Sequence, residues 1–427
     1  MKRRGAIFLA VLALLLALVT GLLWPRHDAG PPPSAAAQAL PASERIARGA
    51  YLARAGDCMA CHTTRGGAQY AGGRALETPF GAVVAPNITQ DEATGIGAWS
   101  ADDFWNALHN GRARDGRLLY PAFPYTSYTY VTRDDADALY AYFKTIPAVR
   151  QPNQPHRLRF PYNQQVALAA WRALYFRPAV FEPAPARSKE WNRGAYLVQG
   201  LGHCAACHSA RNVLGGSDDS LSGGLVPMLG WYAPSLTADS EAGLGDWPVD
   251  DIAQLLHTGV STRAAVFGPM AEVVRESLQH LDENDVRAMA VYLKSLPQQD
   301  AAPRAYKRSE APEAVAQLAA GAKLYGSHCA DCHGAAGEGK GLAYPPLAGN
   351  RALTTQDAAN PIRIVLNGGF PPGTRGNPRP YGMPPFGHVL GDVEVAQLVS
   401  YLRSAWGNNA PPVSSGDVNR YRSVPLE

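Results

Sequence analysis

The pentapeptide Cys58-Met59-Ala60-Cys61-His62 recurs as Cys204-Ala205-Ala206-Cys207-His208 and again as Cys329-Ala330-Asp331-Cys332-His333. These three copies contain all six cysteines of the 427-residue chain. Two thiols one helical turn apart can both reach the vinyl groups of one porphyrin, and the histidine beside them can then bind the iron. Because every pair is followed by histidine and no other thiol exists, a zinc site or a redox dithiol fits the pattern poorly. We therefore expect three covalently attached haem c groups, with His62, His208 and His333 as iron ligands.

The sequence around each pentapeptide also repeats. Arg48-Gly49-Ala50-Tyr51-Leu52, ahead of the first copy, returns as Arg193-Gly194-Ala195-Tyr196-Leu197 ahead of the second. Later features return with one constant offset, namely Ala85-Pro86 as Ala233-Pro234, Trp99 as Trp247 and Leu108-His109 as Leu256-His257. The third copy keeps Gly321-Ala322-Lys323-Leu324-Tyr325. The chain therefore contains three related repeats, the third more distant than the other two.

Each repeat closes with the spacing of an amphipathic helix, in which apolar residues recur at i, i+3, i+4 and i+7. The stripes are Leu139, Tyr142, Phe143 and Ile146; Val286, Met289, Leu293 and Leu296; and Val395, Leu398, Val399 and Leu402. We interpret them as core packing against the helix that leads into the pentapeptide, not as docking faces. No stretch alternates in polarity well enough to predict a sheet.

The N-terminus carries a candidate membrane anchor. Lys2, Arg3 and Arg4 precede an uncharged apolar run over residues 6–24, which is about long enough to cross a bilayer. The basic flank should stay in the cytoplasm, which places the rest of the chain in the periplasm of a bacterial inner membrane. The alternative is a cleaved signal peptide with its small-residue site at Ala35-Ala36-Ala37.

We therefore expect an all-α fold with three tandem cytochrome c domains behind one N-terminal transmembrane helix. The expected boundaries are 1–40 for the anchor and its tether, 41–150 for the first repeat, 151–186 for a linker, 187–300 for the second repeat, 301–407 for the third and 408–427 for a tail.

Methionine is the usual sixth ligand of haem iron in electron-transfer cytochromes, and this chain has only six methionines. Met383 is the only one after His333, and prolines on its C-terminal side would hold its loop rigid. After His208, we assign Met270 as the ligand; Met289 falls on the closing helix and Met228 comes early in the repeat.

The first repeat has no methionine between Met59 and Met228, and Met59 lies inside the attachment loop. Phe123 aligns with Met270 but cannot bind iron. Three options remain for the first haem: an open or water-bound iron, a tyrosine near Tyr120 and Tyr125, or His109. Because the counterpart of His109 occurs in a repeat that already has Met270, we favour a structural role for this histidine.

With these motifs in place, the chain resembles the triple-haem cytochrome c subunits of bacterial membrane-bound dehydrogenases. The resemblance extends from Arg48 to Asn408 and rests on four segments: Tyr120-Pro121-Ala122-Phe123-Pro124-Tyr125, Trp191-Asn192-Arg193-Gly194, Gly268-Pro269-Met270 and Tyr381-Gly382-Met383-Pro384-Pro385-Phe386. It includes the subunits that serve alcohol and gluconate dehydrogenases. The segment from Asn153 to Gln164 looks most similar to members that serve molybdopterin aldehyde dehydrogenases and hydroxylases. Phe123 departs from the alcohol dehydrogenase members, which usually have methionine there.

The resemblance implies an electron-transfer subunit that is not catalytic alone. Its partner would be a dehydrogenase of molybdopterin, pyrroloquinoline quinone or flavin type, with a small iron-sulfur subunit as a further candidate. The electrons would pass to ubiquinone or a terminal oxidase in the membrane.

Two other functions are compatible with the haem motifs: a haem peroxidase that uses an open first iron, and a cytochrome subunit of a terminal oxidase. The sequence has no dinucleotide-binding G-x-G-x-x-G and no plausible catalytic triad. No motif therefore indicates that this chain oxidises a substrate itself. The net charge of +3 does not indicate nucleic-acid binding.

Overall fold

The computed structural model describes residues 21, 30–226, 228–239, 242–298 and 306–424. These form two compact units. The first runs to Glu182 and includes Gln199–His203, and the second contains Pro183–Val198 and the chain from Cys204 onward. Within the described residues, no helix is both long and apolar enough to cross a membrane. The apolar run at residues 6–24 lies outside them, except for Gly21.

The first unit is mainly helical. Its helices are α1 (Ala35–Ala39), α2 (Ala42–Ala55), α3 (Cys58–His62), α4 (Ala101–Asn110), α5 (Tyr125–Tyr128), α6 (Arg133–Phe143) and α7 (Gln165–Tyr175). Its strands are β1 (Ala75–Thr78), β2 (Gly81–Val84) and β3 (Arg157–Leu158).

The second unit contains the second and third repeats. Its helices are α8 (Lys189–Gln199, whose last residue falls in the first unit), α9 (Ala205–His208), α10 (Val249–Thr258), α11 (Pro269–Glu276), α12 (Glu283–Lys294), α13 (Pro312–His328), α14 (Ala330–His333), α15 (Arg351–Thr354), α16 (Ala359–Asn367), α17 (Asp392–Leu402) and α18 (Ser415–Arg422). Two strands, β4 (Gly224–Val226) and β5 (Trp231–Ala233), complete it, with a short 3₁₀ helix at Leu278–His280.

In every repeat, the helix before the pentapeptide crosses the closing helix at a glycine. A Cβ atom on Gly49 would meet the carbonyl oxygen of Ala138, and one on Gly194 would meet that of Ala288. A Cβ atom on Gly321 would likewise meet the carbonyl oxygen of Gln397. The recurrence of this glycine in the sequence therefore has a steric cause, because any side chain would force the two helices apart.

An ion pair joins the same two helices in the first two repeats. Arg48 Nε donates to Asp135 Oδ1 at 2.6 Å, and Arg193 Nη2 donates to Asp285 Oδ2 at 2.6 Å. The Asp135 side chain is only 2% exposed and the Arg48 side chain 49% exposed, so the arginine pairs a buried carboxylate from the solvent side of the crossing.

The predicted apolar stripes are confirmed as core. Leu139, Met289 and Leu293 are each 1% exposed, and Val395 and Leu398 are fully buried. The stripes lie on α6, α12 and α17, except that Ile146 and Leu296 follow the ends of α6 and α12 and are half-buried.

The expectation of no sheet was wrong. Strand β2 pairs antiparallel with both β1 and β3, and β4 pairs antiparallel with β5. The strands are two to four residues long, too short for alternation of polarity to be recognised in the sequence.

The region treated as a linker, 151–186, is ordered and largely belongs to the first unit. Leu168 and Ala169 of α7 pack against Leu118, with Tyr120 beside them. Arg172 Nη2 donates to the carbonyl oxygen of Asn110 at 2.6 Å. The C-terminal tail is also packed, because Val413 and Val418 belong to the core of the third repeat.

Candidate haem sites

Each pentapeptide histidine is held by a proline carbonyl. The Nδ1 atoms of His62, His208 and His333 lie 2.8, 2.7 and 2.9 Å from the carbonyl oxygens of Pro86, Pro234 and Pro345, respectively. A carbonyl oxygen only accepts hydrogen bonds, so Nδ1 carries the proton and Nε2 keeps its lone pair. This arrangement orients Nε2 as an iron ligand and increases its basicity.

A glycine holds the main chain of the same histidine. Gly72, Gly223 and Gly339 donate their N–H groups to the carbonyl oxygens of the pentapeptide histidines at 2.7, 2.8 and 2.8 Å. Their φ angles are +78°, +93° and +71°, which a residue with a side chain adopts only with strain. We refer to each set of histidine, glycine and proline as a histidine bracket.

The role of these prolines was not predicted from the sequence, and the third proline was not recognised there at all. The Ala-Pro repeat located Pro86 and Pro234, which follow their histidines by 24 and 26 residues, whereas Pro345 follows His333 by only 12. The proline is present in the segment Tyr344-Pro345-Pro346. Because the loop before it is shorter, its correspondence to Pro86 and Pro234 is not visible in the sequence.

Burial keeps the bracket histidines neutral. It lowers the pKa of all three, and that of His208 falls to about 4 through burial and, to a smaller extent, the positive charge of Arg351. A neutral imidazole is the form that binds a metal.

The cysteines do not have the properties of a redox dithiol. Burial raises the pKa of Cys58 and Cys204 to about 12 and that of Cys329 to about 11, whereas reactive dithiols have a lowered pKa. All six cysteines lie in the described residues and none is in a disulfide. The part of the chain that the structure describes also has no cluster of three or more His, Cys, Asp or Glu residues suited to a metal ion.

The assigned methionines lie in different settings. Met383 exchanges two backbone hydrogen bonds with Gly369, at 2.8 and 3.0 Å, and packs against the core cluster that contains Cys329. Met270 lies in the first turn of α11 and is half-buried. Met289 is 1% exposed and belongs to the core, as expected, whereas Met228 is 55% exposed in a turn. Iron ligation by Met270 and Met383 remains a prediction.

Comparison with known proteins places this geometry in a family. Residues 46–147 and 318–406 match the cytochrome c family model. The chain is 41% identical over 394 residues to the gluconate 2-dehydrogenase cytochrome c subunit of Pantoea cypripedii, which covers 88% of this chain and 89% of that protein. It is 38% identical over 400 residues to the cytochrome c subunit of the quinone alcohol dehydrogenase of Komagataeibacter europaeus. This alignment covers 90% of this chain and 85% of that protein.

The chain belongs to the family of dehydrogenase cytochrome c subunits. It is also 42% identical over 374 residues to a subunit of the nicotinate dehydrogenase of Pseudomonas putida, covering 86% of this chain but 31% of that protein. The cytochrome is therefore an electron-transfer subunit and carries haem c covalently. The histidine brackets fit haem c, because each bracket leaves one imidazole nitrogen available to iron and lies beside two thiols.

In the first repeat of the cytochrome, Phe123 packs against Tyr128. Its ring centroid is 5.3 Å from that of Tyr128, whose hydroxyl donates to the carbonyl oxygen of Gly56 at 2.9 Å. Burial raises the pKa of Tyr128 well above 10, with smaller contributions from Cys58 and Cys61.

The rings of the other candidates for the first iron contact neighbouring side chains, although the buried hydroxyl of Tyr125 has no hydrogen-bond partner among the described residues. The imidazole of His109 is stacked on Trp105 with a centroid distance of 4.4 Å, and its Nδ1 lies 2.9 Å from the carbonyl oxygen of Thr129. Tyr125 packs against Phe176, and Tyr120 against His156. The backbone contact of His109 supports the structural role that the repeat alignment favours.

Proposed function

We propose that the cytochrome carries three haem c groups and passes electrons from a periplasmic dehydrogenase to ubiquinone or a terminal oxidase. The observation that carries this proposal is the threefold occurrence of the histidine bracket beside a Cys-x-x-Cys-His motif. When bound, each haem supplies a one-electron ferric/ferrous couple. The chain itself would hold a neutral imidazole towards each iron and orient it through a proline carbonyl.

The partner is proposed to be a molybdopterin dehydrogenase that oxidises an aldehyde or a related substrate. Support comes from the segment Asn153–Gln164 and from Phe123, both of which resemble that branch. The segment is anchored to the first repeat, because the Asn153 side chain accepts a hydrogen bond from the Asn87 N–H at 2.7 Å. Pyrroloquinoline quinone and flavin dehydrogenases are the alternative partners, and an iron-sulfur subunit would fit the molybdopterin type.

The test uses the full-length chain, tagged and purified in detergent from a host with a working cytochrome c maturation system. Its denatured mass should equal the polypeptide plus three haems, because thioether bonds survive denaturation. Aldehydes, alcohols, sugars and N-heterocycles are then added to the co-purified complex in separate assays. One of these classes should reduce the haems.

Three results would contradict the proposal. A mass with fewer than three haems would refute the haem count. Steady turnover of hydrogen peroxide by the isolated chain would favour a peroxidase, and co-purification of copper- and haem-containing oxidase subunits would favour a terminal oxidase.

We also propose that residues 6–24 anchor the cytochrome in the inner membrane, with the haem repeats in the periplasm. The support is the length of this apolar run and the three basic residues before it. Full-length protein should remain with membranes in high salt and leave only with detergent. A matched variant in which a cleavable signal peptide replaces residues 1–24 should leave the membrane in salt unless a partner retains it. Mature protein that begins near Gln38 would rule out the anchor.

A further inference from the structure

Helix α7 of the first unit exposes an apolar side to solvent. Four apolar residues share this side, because they recur at i, i+4, i+7 and i+8. They are Val166, Ala170, Ala173 and Leu174, and all four are exposed. The side that carries Leu168 and Ala169 is buried instead. The helix is therefore apolar on two sides, and the first unit covers only one of them.

Two aromatic residues just before the helix are exposed as well. Phe160 is 79% exposed, and the Tyr162 ring packs on that of Phe80 with a centroid distance of 4.5 Å. The Arg159 N–H donates to the carbonyl oxygen of Phe80 at 3.0 Å, which fixes this segment next to β2. We refer to the exposed side chains of residues 160–180 as the α7 face; they are Phe160, Tyr162, Val166, Ala170, Ala173, Leu174 and Val180.

The charge around the α7 face has one sign. Residues 151–181 contain four arginines and no aspartate or glutamate. Arg157, Arg159 and Arg177 are exposed. Arg157 lies 3.5 Å from Glu77, whereas Arg159 and Arg177 form no ion pair among the described residues and donate to backbone carbonyl oxygens. An apolar face surrounded by positive charge favours a partner that is both apolar and anionic.

The N-terminal tether joins the first unit in the same region. A Cβ atom on Gly30 would meet the indole ring of Trp105, which is stacked on His109. His109 Nδ1 lies 2.9 Å from the carbonyl oxygen of Thr129. Thr129 Oγ1 in turn accepts a hydrogen bond from the Ala179 N–H at 2.9 Å. Consecutive contacts therefore connect the entry point of the tether to the C-terminal end of the α7 face.

The length of the tether keeps this region close to the membrane. The proposed anchor ends at Trp24, six residues before Gly30. Six residues of fully extended chain span at most about 21 Å. The entry point of the tether therefore lies within this distance of the end of the anchor, and the α7 face belongs to the part of the unit nearest to the lipid.

We propose that the α7 face docks the first repeat onto the periplasmic surface of the membrane, with its apolar side chains among the acyl chains and its arginines at the phosphates of anionic phospholipids. Interfacial helices combine an apolar side with basic residues, and their binding strengthens with apolar area and with the negative charge of the lipid. The inference rests on the anchor proposed above. The anchor sets the distance of the first repeat from the membrane, and the docked face sets its orientation.

The test is photolabelling of the full-length, haem-loaded protein in vesicles of phosphatidylethanolamine and phosphatidylglycerol. The vesicles also contain a phospholipid with a diazirine in its acyl chain. The carbene formed on illumination inserts into neighbouring bonds of any type, and mass spectrometry locates the label. Peptides that contain Phe160 and Leu174 should be labelled, as should residues 6–24.

The chain provides an internal control. Val393 is 59% exposed but lies between Asp392 and Glu394, so its peptide should stay unlabelled. Equal labelling of this peptide would show that exposure alone explains the label.

A variant that combines Phe160→Gln and Leu174→Gln removes apolar area from the α7 face without changing a buried residue. Its label on the α7 peptides should fall by up to roughly tenfold, because burial of a single leucine side chain is worth that much or more. The label on residues 6–24 should stay at the parent level, and Val393→Gln should change neither. Vesicles of phosphatidylcholine alone should also lower the label on the α7 peptides, because they have no anionic lipid.

The proposal is overturned if the α7 peptides stay unlabelled while residues 6–24 are labelled, and the anchor is then unaffected. Labelled α7 peptides with unlabelled residues 6–24 would refute the anchor and support the docking. Unchanged labelling of the double variant, or equal labelling in phosphatidylcholine, would also overturn the proposal. If the double variant instead loses a co-purified dehydrogenase, or a dimer seen in size-exclusion chromatography, the face is covered by protein and not by lipid.

Discussion

Gly321→Ala is expected to destabilise the third repeat by about 3 kcal/mol, at the upper end of the usual cost of overpacking. The added methyl group would meet the carbonyl oxygen of Gln397 and would lie 2.7 Å from Cβ of Tyr401. Neither neighbour can move without separating α13 from α17, two of the helices that contribute to the core of this repeat. Guanidinium unfolding, followed by far-UV circular dichroism and by the sulfur-to-iron band of the haem, should show a transition at lower denaturant concentration.

The same helix contains its own control. Gly326 is exposed, and a Cβ atom there would have no neighbour within 4 Å. Gly326→Ala should therefore be neutral or stabilise the repeat by up to about 1 kcal/mol, because alanine has the higher helix propensity. Equal transitions for Gly321→Ala and Gly326→Ala would show that the close helix crossing is not required.

Phe123→Met is expected to give the first haem a thioether ligand and to raise its midpoint potential on the order of 0.1 V, within the range of about 0.8 V that axial ligands control. The parent should show two equivalents of histidine/methionine haem, from Met270 and Met383, and the variant should show three. The sulfur-to-iron charge-transfer band counts these equivalents, and a redox titration measures the potential.

Phe123→Leu keeps an apolar side chain at the same position but offers no ligand, so it should retain two equivalents. Three equivalents in the parent would mean that the first iron already has a methionine ligand. If Phe123→Met behaves like Phe123→Leu, the position does not face the iron, and the repeat alignment of Phe123 with Met270 is wrong.

Much of the fold was predictable because its signals are local or strictly repeated. The Cys-x-x-Cys-His motifs and the stripes that include Leu139, Met289 and Val395 required only helical spacing. Helix α7 was missed because its buried residues, Leu168 and Ala169, are too few to form a stripe, and they are buried only by packing on Leu118. The small sheets were also missed, because strands this short show no alternation of polarity and are stabilised by the strands with which they pair.

The sequence by itself determined the three attachment motifs, the repeated glycine before each and the closing helices, because these depend on residues within a few turns of one another. Only the tertiary structure revealed why the glycine recurs, since the obstructing carbonyl of Ala138, Ala288 or Gln397 comes from a distant helix. It also identified Pro345 as the acceptor of the third bracket and placed Arg351 over Trp247. Those contacts follow from loop lengths and from the packing of one repeat on another, and such long-range geometry leaves no periodic pattern in the sequence.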